Sequence, residues 1–112
     1  MTSVRARSYT VPTDGRESDG TLEWDSTTIV VVEVAAGGHR GLGYTYAHQA
    51  VATLVNDKLA GVLEGRDPLA VGACWDAMAG ALRNVGWPGV GAEALSAVDI
   101  ALWDLKARIL EL

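Results

Sequence analysis

The sequence predicts an α+β fold, in which a three-stranded antiparallel sheet is followed by a helical bundle. Three observations lead to this prediction. β-branched residues are concentrated in the first third of the 112 residues, Gly37-Gly38 offers a tight turn between two such runs, and a helical spacing of apolar residues begins at Ala47. Strands followed by helices are the order typical of α+β domains. We therefore expect one domain that spans residues 1–112.

Three strands are expected before residue 47. The first covers residues 4–11 and ends at Pro12, because proline cannot donate to a β-ladder. The second covers residues 28–34, where a nearly continuous apolar run indicates a strand covered on much of both faces. After the glycine turn, residues 40–46 return as the third strand, which completes a small antiparallel sheet.

A long polar segment separates the first two strands. Residues 13–25 contain two glycines together with Asp and Ser residues, which is the composition of turns and loops. A loop of about 12 or more residues is unusual inside a compact domain, and such loops often act as lids or binding loops. We expect residues 13–25 to form such a loop.

Three helices are expected in the rest of the chain. The first begins near Ala47 and is loosened or ended by Gly61 and Gly65. The second begins at Asp67-Pro68, because Asp can cap the free N–H groups and Pro fits the first turn of a helix. The second is expected to bury Leu69, Trp75, Met78, Leu82 and Val85. The third begins near Ala92 and carries a strongly amphipathic stripe at Leu95, Val98, Leu102, Leu105 and Ile109.

Composition excludes several classes of protein. With 49% hydrophobic residues the chain is too apolar for a disordered segment, and with 9 basic against 14 acidic residues it lacks a nucleic-acid footprint. Neither a signal peptide nor an apolar run of about 20 residues is visible, so no membrane association is expected. The single cysteine, Cys74, is expected in the core, and an unpaired cysteine favours a reducing, cytoplasmic setting.

The search for catalytic groups yields little. His39 and His48 lack partners at metal-ligand spacing, and Ser96 lies in mid-helix without the strained turn of a nucleophilic serine. Asp99 is either a metal or acid–base carboxylate or, as we favour, a partly buried structural residue held by an arginine or by backbone donors. No catalytic residue and no metal ligand is therefore expected in this chain.

Substrate-binding groups are expected at the junction of the third strand and the first helix. Tyr44 and Tyr46 share a face if the strand continues, and His48 follows them, so hydroxyl and imidazole groups gather in one place. Trp24 lies at the end of the long loop, where a large flat side chain can close over a ligand. The alternative is a set of sheet-edge aromatic residues beside a surface histidine.

The third helix stays in apolar register as far as Leu112, with neither a glycine cap nor a proline stop. Its apolar content also exceeds what a small sheet and two helices need. We therefore expect further chain after Leu112, the alternative being a frayed natural terminus.

Residues 94–108, with the sequence ALSAVDIALWDLKAR, closely resemble the helix that ends the N-terminal domain of the mandelate racemase and muconate lactonizing enzymes of the enolase superfamily. Residues 65–68 (GRDP) resemble the family's link between its first two helices, and residues 41–43 (GLG) resemble its third strand. The resemblance extends over nearly the whole chain, from Val4 to Leu112.

This resemblance implies a capping domain that packs against a (β/α) barrel located after Leu112. In the family, the barrel carries three acidic Mg²⁺ ligands and the Lys or His acid–base residues, which remove the proton alpha to a carboxylate. The cap contributes two loops over the barrel mouth, which by position are residues 13–25 and 44–48 here. The implied partners are the barrel, a small carboxylate substrate and further copies of a homo-oligomer.

One position departs from the pattern of many relatives, which carry an acidic residue where this chain has Tyr44. The run from Tyr44 to His48 is nearer the aromatic version of mandelate racemase, so racemisation, dehydration and cycloisomerisation all stay open. Two functions are considered: the cap of a Mg²⁺-dependent enzyme, inactive without its barrel, and a stand-alone binding domain of the same fold. The apolar third helix favours the first.

Overall fold

The computed structural model describes Met1 and residues 3–112, and its sheet has the expected antiparallel order β1-β2-β3. The strands are β1 (Ser3–Ser18), β2 (Glu23–Ala36) and β3 (His39–Tyr46). Gly37 and Gly38 have φ angles of 55° and 80°, which few other residues adopt, and they form the tight β2–β3 turn. The α+β fold class is confirmed.

Three helices follow the sheet. α1 is continuous over three segments, Ala50–Leu54, a wider π-type turn Val55–Leu59, and Ala60–Leu63; α2 is Val71–Leu82 and α3 is Ala92–Ile109. The residues between α2 and α3 are not helical throughout, because Pro88 and Gly89 leave helical dihedral angles. No helix in the described part of the chain has the length and apolarity to cross a membrane.

The helix boundaries differ from expectation by a few residues. α1 begins at Ala50 instead of Ala47, because residues 47–49 form the connection between β3 and the helix. The carboxylate of Asp67 accepts the N–H of Leu69 at 2.9 Å in a separate turn, so α2 begins only at Val71. α3 ends at Ile109, and Glu111 has a φ of 58°, so the expected helical register through Leu112 is wrong.

The core lies between the inner face of the sheet and the helices. Val30, Val32 and Val34 of β2 are fully buried there, and so are Val98 and Leu102 of α3. α3 packs directly on β3, because Gly41 and Gly43 leave room for its backbone: a Cβ on Gly43 would overlap the carbonyl oxygen of Ala97. This contact fixes the end of β3 relative to the helices.

The buried side of α2 was only partly predicted. Met78 and Leu82 are fully buried and Cys74 is buried as expected, so burial raises the pKa of the Cys74 thiol. Three other residues expected in the core are exposed: Leu69, Trp75 and Val85. Trp75 lies beside the inward stripe of α2, while Leu69 precedes the helix and Val85 follows it, so the helical spacing does not apply to them.

The expected loop at residues 13–25 is largely a β-hairpin, which we call the hairpin arm. β1 continues past Pro12 to Ser18, and β2 begins at Glu23, with a shift of register between Pro12 and Glu17. Proline does not end the strand, because β1 is an edge strand where no ladder donor is lost. Only residues 19–22 form the turn, in which the carboxylate of Asp19 accepts two backbone N–H groups.

Candidate functional site

Three of the four residues expected to bind substrate lie together in the structure. Trp24, Tyr46 and His48 line a shallow depression of about 380 Å³ at the end of the sheet, where the hairpin arm leaves β2 and the chain leaves β3. The rest of the lining consists of Ser26, Thr27, Thr28 and Ala47. We call this depression the junction site.

Tyr44 does not line the junction site. It lies two residues earlier on the exposed face of β3, and its ring meets the ring of Tyr46 edge to face at 5.9 Å between centroids. This geometry is favourable for aromatic pairs. Tyr44 therefore packs against the Tyr46 ring without lining the depression.

Pairing of β2 with β3 sets the position of the site. Ile29 lies opposite Tyr46, and the N–H of Ala47 donates to the carbonyl oxygen of Thr28 at 3.2 Å. The chain is therefore held against β2 for one residue beyond the end of β3. This holds His48 beside the first residues of β2.

His48 has one ring nitrogen engaged and one free for a ligand. Its Nδ1 accepts the backbone N–H of Ala50 at 3.0 Å, at the start of α1. In the neutral ring the proton must then lie on Nε2, because Nδ1 acts as the acceptor. The exposed imidazole therefore offers an N–H donor from Nε2.

Trp24 has its polar atom occupied. The indole N–H donates to a carboxylate oxygen of Glu17 at 3.1 Å across the hairpin arm. What Trp24 offers a ligand is therefore its apolar ring surface, while Tyr46 and His48 offer hydrogen bonds.

Sequence reasoning missed the polar floor of the site and the partner of Trp24. Ser26, Thr27 and Thr28 also line the depression, and the hydroxyl of Thr28 is engaged with that of Thr10, their Oγ1 atoms lying 2.8 Å apart. The run of three hydroxyl residues that begins two positions after Trp24 was the available signal. Glu17 had no signal, because its role depends on the extended hairpin.

Asp99 was expected to be held by an arginine or by backbone donors, and this is wrong for the described residues, among which no hydrogen bond or ion pair reaches its carboxylate. Burial instead raises the pKa of Asp99. The carboxylate with partners is Asp104, which accepts the N–H of Leu42 at 2.8 Å and the Nε–H of Arg108 at 3.0 Å. The Leu42 hydrogen bond, helped by Arg108, lowers the pKa of Asp104.

The arrangement can bind and orient a ligand. Tyr46 and His48 bring a hydroxyl and an imidazole to the lining of the depression, and Trp24 brings an aromatic ring. Across Met1 and residues 3–112, no three His, Cys, Asp or Glu side chains gather as a metal site. The described residues therefore do not fit a Mg²⁺ ion.

Comparison with known proteins places this geometry in a family. The model of the mandelate racemase / muconate lactonizing enzyme N-terminal domain matches residues 15–112. A 3,6-anhydro-alpha-L-galactonate cycloisomerase from Streptomyces coelicolor is 38% identical over 111 residues, which cover 92% of this chain and 30% of that protein.

Solved structures agree with this match. A mandelate racemase/muconate lactonizing enzyme-like protein from Rubrobacter xylanophilus is 59% identical, with a TM-score of 0.96 over 99% of this chain and 31% of its own. A racemase from Streptomyces coelicolor with bound magnesium is 38% identical, with a TM-score of 0.90 over 95% of this chain and 31% of its own. This chain thus spans about a third of these proteins, and it belongs to the mandelate racemase and muconate lactonizing enzyme family of the enolase superfamily, whose N-terminal domain it matches.

Proposed function

We propose that this chain is the capping and substrate-specificity domain of a Mg²⁺-dependent enzyme that abstracts the α-proton of a carboxylate substrate. The observation that carries the proposal is the convergence of Trp24, Tyr46 and His48 on one depression. The catalytic barrel, with the metal and the base, is supplied by further chain outside these 112 residues. The family match and the magnesium in a 38% identical racemase support this assignment.

The junction site is proposed to face the substrate. The Nε2–H of His48 and the hydroxyl of Tyr46 donate to carboxylate or hydroxyl oxygens of a small acid, and the hydroxyls of residues 26–28 extend the polar surface. The Trp24 ring excludes water from the same space. Tyr44 keeps the Tyr46 ring in place through their edge-to-face contact.

The second part of the proposal concerns the surface that meets the barrel. On the side away from the core, α3 exposes Ser96, Ile100 and Trp103, and at the same spacing come the half-buried Ala107 and, just after the helix, the exposed Leu110. An exposed apolar stripe of this length favours association with another surface. We assign it to the barrel, and we place the complete enzyme in the cytoplasm, in keeping with the lone reduced Cys74.

Proton exchange tests the proposal. The 112-residue chain and the complete enzyme are each incubated with Mg²⁺ and a panel of α-hydroxy acids and sugar acids in D₂O, and deuterium at the α-carbon is followed by NMR. We expect exchange with the complete enzyme and none above buffer with the chain alone. Exchange catalysed by the chain alone, or a coding region without acidic barrel ligands after Leu112, would contradict it.

A further inference from the structure

Asp99 is a charged side chain that neither the core nor the junction site uses. It lies in the middle of α3, half-buried, between the fully buried Val98 and the exposed Ile100. Within Met1 and residues 3–112, no hydrogen bond or ion pair reaches its carboxylate. Burial alone raises the pKa of Asp99, so no charge in this part of the chain compensates for the water that the carboxylate has lost.

The two basic residues of α3 are engaged with other groups. The Nε–H of Arg108 donates to the carboxylate of Asp104 at 3.0 Å. Lys106 follows Asp99 by about two helical turns, and its Nζ atom lies 5.3 Å from the centre of the Trp103 ring. The helix therefore gives Asp99 no counterion.

The position of Asp99 connects it to the exposed side of α3. Ser96 comes three residues before it and Trp103 four residues after it, so the three side chains are neighbours on the helix surface. Ser96, Trp103 and the adjacent Ile100 are exposed. A surface that covers these three residues therefore also takes the remaining water away from Asp99.

Loss of that water requires a partner for the charge. A carboxylate is almost never fully buried without one, because the cost of removing the ion from water exceeds what packing returns. Since the described part of the chain supplies no partner, the covering surface has to bring it. A cation compensates a carboxylate best, and arginine suits a buried pair because its guanidinium is weakly hydrated and can form two parallel hydrogen bonds.

We propose that the barrel places an arginine or lysine side chain on Asp99, and that this ion pair sets how the cap sits on the barrel. The barrel is the occupant because this chain spans only about a third of its relatives, and the exposed side of α3 is assigned to it. The inference rests on the proposed function, from which it takes the barrel, and it adds the chemistry of the contact. Complementary charges fix the register of an interface, so the pair holds the junction site in place over the barrel.

The sign of one substitution in two proteins tests the proposal. Asp99→Asn keeps the size of the side chain and removes its charge. The Tm of the complete enzyme should fall by about 2–4 °C, because the barrel's cation loses its partner, while the Tm of the 112-residue chain should rise. Asp76→Asn on the exposed side of α2 is the matched control and should change neither Tm appreciably. A rise of Tm in both proteins, or a fall in the chain alone, overturns the proposal.

A second variant separates charge from packing. Asp99→Glu keeps the charge but lengthens the side chain, and in the complete enzyme it should recover part of the Tm that Asp99→Asn loses. If only the shape of the side chain mattered, asparagine would be tolerated better than glutamate. That order of the two Tm values contradicts an ion pair.

The pKa of Asp99 in each protein gives an independent readout. Aspartate labelled with ¹³C is followed by NMR against pH, and the signal that disappears in Asp99→Asn is assigned to Asp99. The pKa should lie above the ordinary value in the 112-residue chain and below it in the complete enzyme, since a cation favours the charged form. A complete enzyme that exchanges the α-proton of its substrate while the pKa of Asp99 stays raised disproves the ion pair alone. A coding region without a barrel after Leu112 overturns both this inference and the proposed function.

Discussion

The two ends of the sheet differ in what holds them. At the end near Gly43, β2 and β3 lie on α3, and the inner side chains of β2 are fully buried. In the hairpin arm, the two strands are held by exposed polar pairs, such as Arg16 with Glu23 at 3.3 Å and Trp24 with Glu17 at 3.1 Å. The packed end therefore supplies stability, and the arm presents Trp24 at the junction site.

The difference has a consequence for function. Exposed ion pairs and hydrogen bonds contribute little to the free energy of unfolding, while each buried aliphatic side chain contributes about 1.5–3 kcal/mol. Substitutions in the arm should thus change ligand binding with little effect on folding. Substitutions at the packed end should do the reverse.

The largest expected effect comes from a matched pair of leucines. Leu102 of α3 is completely buried, so Leu102→Ala should lower the free energy of unfolding by about 2–5 kcal/mol through lost burial and a cavity. Leu22 in the arm turn is 67% exposed, and Leu22→Ala should change it by less than about 0.5 kcal/mol. Urea unfolding measures both. Similar losses at the two positions would remove the distinction between the two ends.

A pair of glycines gives the next effect. Gly43→Ala places a Cβ against the carbonyl oxygen of Ala97, so β3 must move off α3, at a cost of about 1–3 kcal/mol. Gly80 lies inside α2, and a Cβ there would meet no atom of a neighbouring element within 4 Å, so Gly80→Ala should stabilise the helix by about 0.5–1 kcal/mol. Opposite shifts of Tm are therefore expected. A neutral Gly43→Ala would show that β3 and α3 are not in close contact.

The smaller effects concern two carboxylates on α3. The hydrogen bond from the Leu42 N–H is the main cause of the lowered pKa of Asp104 in the folded state. The ionised carboxylate therefore stabilises the fold at pH values above the unfolded pKa, and this stabilisation is lost as the pH falls through the folded pKa. Asp104→Asn should cost about 1 kcal/mol at pH 7, and this cost should shrink as the pH falls from the unfolded pKa through the lower folded pKa. The measurement is urea unfolding of wild type and variant across this pH range.

Asp99 should show the opposite sign. Burial raises the pKa of Asp99 in the folded state. The contribution of Asp99 to the free energy of unfolding is therefore favourable below the unfolded pKa and is lost as the pH rises through the folded pKa. Asp99→Asn should therefore raise the stability of this chain at pH 7 and have little effect at acidic pH. A loss of stability at pH 7 would mean that a partner holds the ionised carboxylate.

The packed end could be predicted from the sequence, because burial imposes a pattern on it. The apolar run at residues 28–34 and the stripe through Leu95, Val98 and Leu102 gave the sheet, α3 and the fold class. The arm could not be predicted, since its strands carry mostly polar residues that also suit a loop. Pro12 led to a wrong end for the first strand. A proline ends a central strand but is tolerated in an edge strand, and the sequence does not show that β1 lies at the edge.

The junction site was predicted as a set of residues, but its geometry was not. Alternation along β3 predicted that Tyr46 and His48 lie close together, and the structure brings Trp24, which was also predicted, from the arm to the same depression. Asp104 was missed because its carboxylate accepts the N–H of Leu42 in β3, which lies 62 residues away along the chain. No spacing in the sequence indicates such a contact.

The central claim is that the junction site recognises the substrate without carrying out the proton transfer. Its most direct test is kcat/KM of the complete enzyme with Tyr46→Phe, which removes one hydroxyl, and His48→Asn, whose side-chain oxygen can still accept the Ala50 N–H. Each should lower kcat/KM roughly ten- to a hundredfold, the loss of a hydrogen bond to a charged group, with Tm unchanged. Tyr9→Phe on the outer face should have no effect. Unchanged kcat/KM in both variants across the acid panel would contradict the claim.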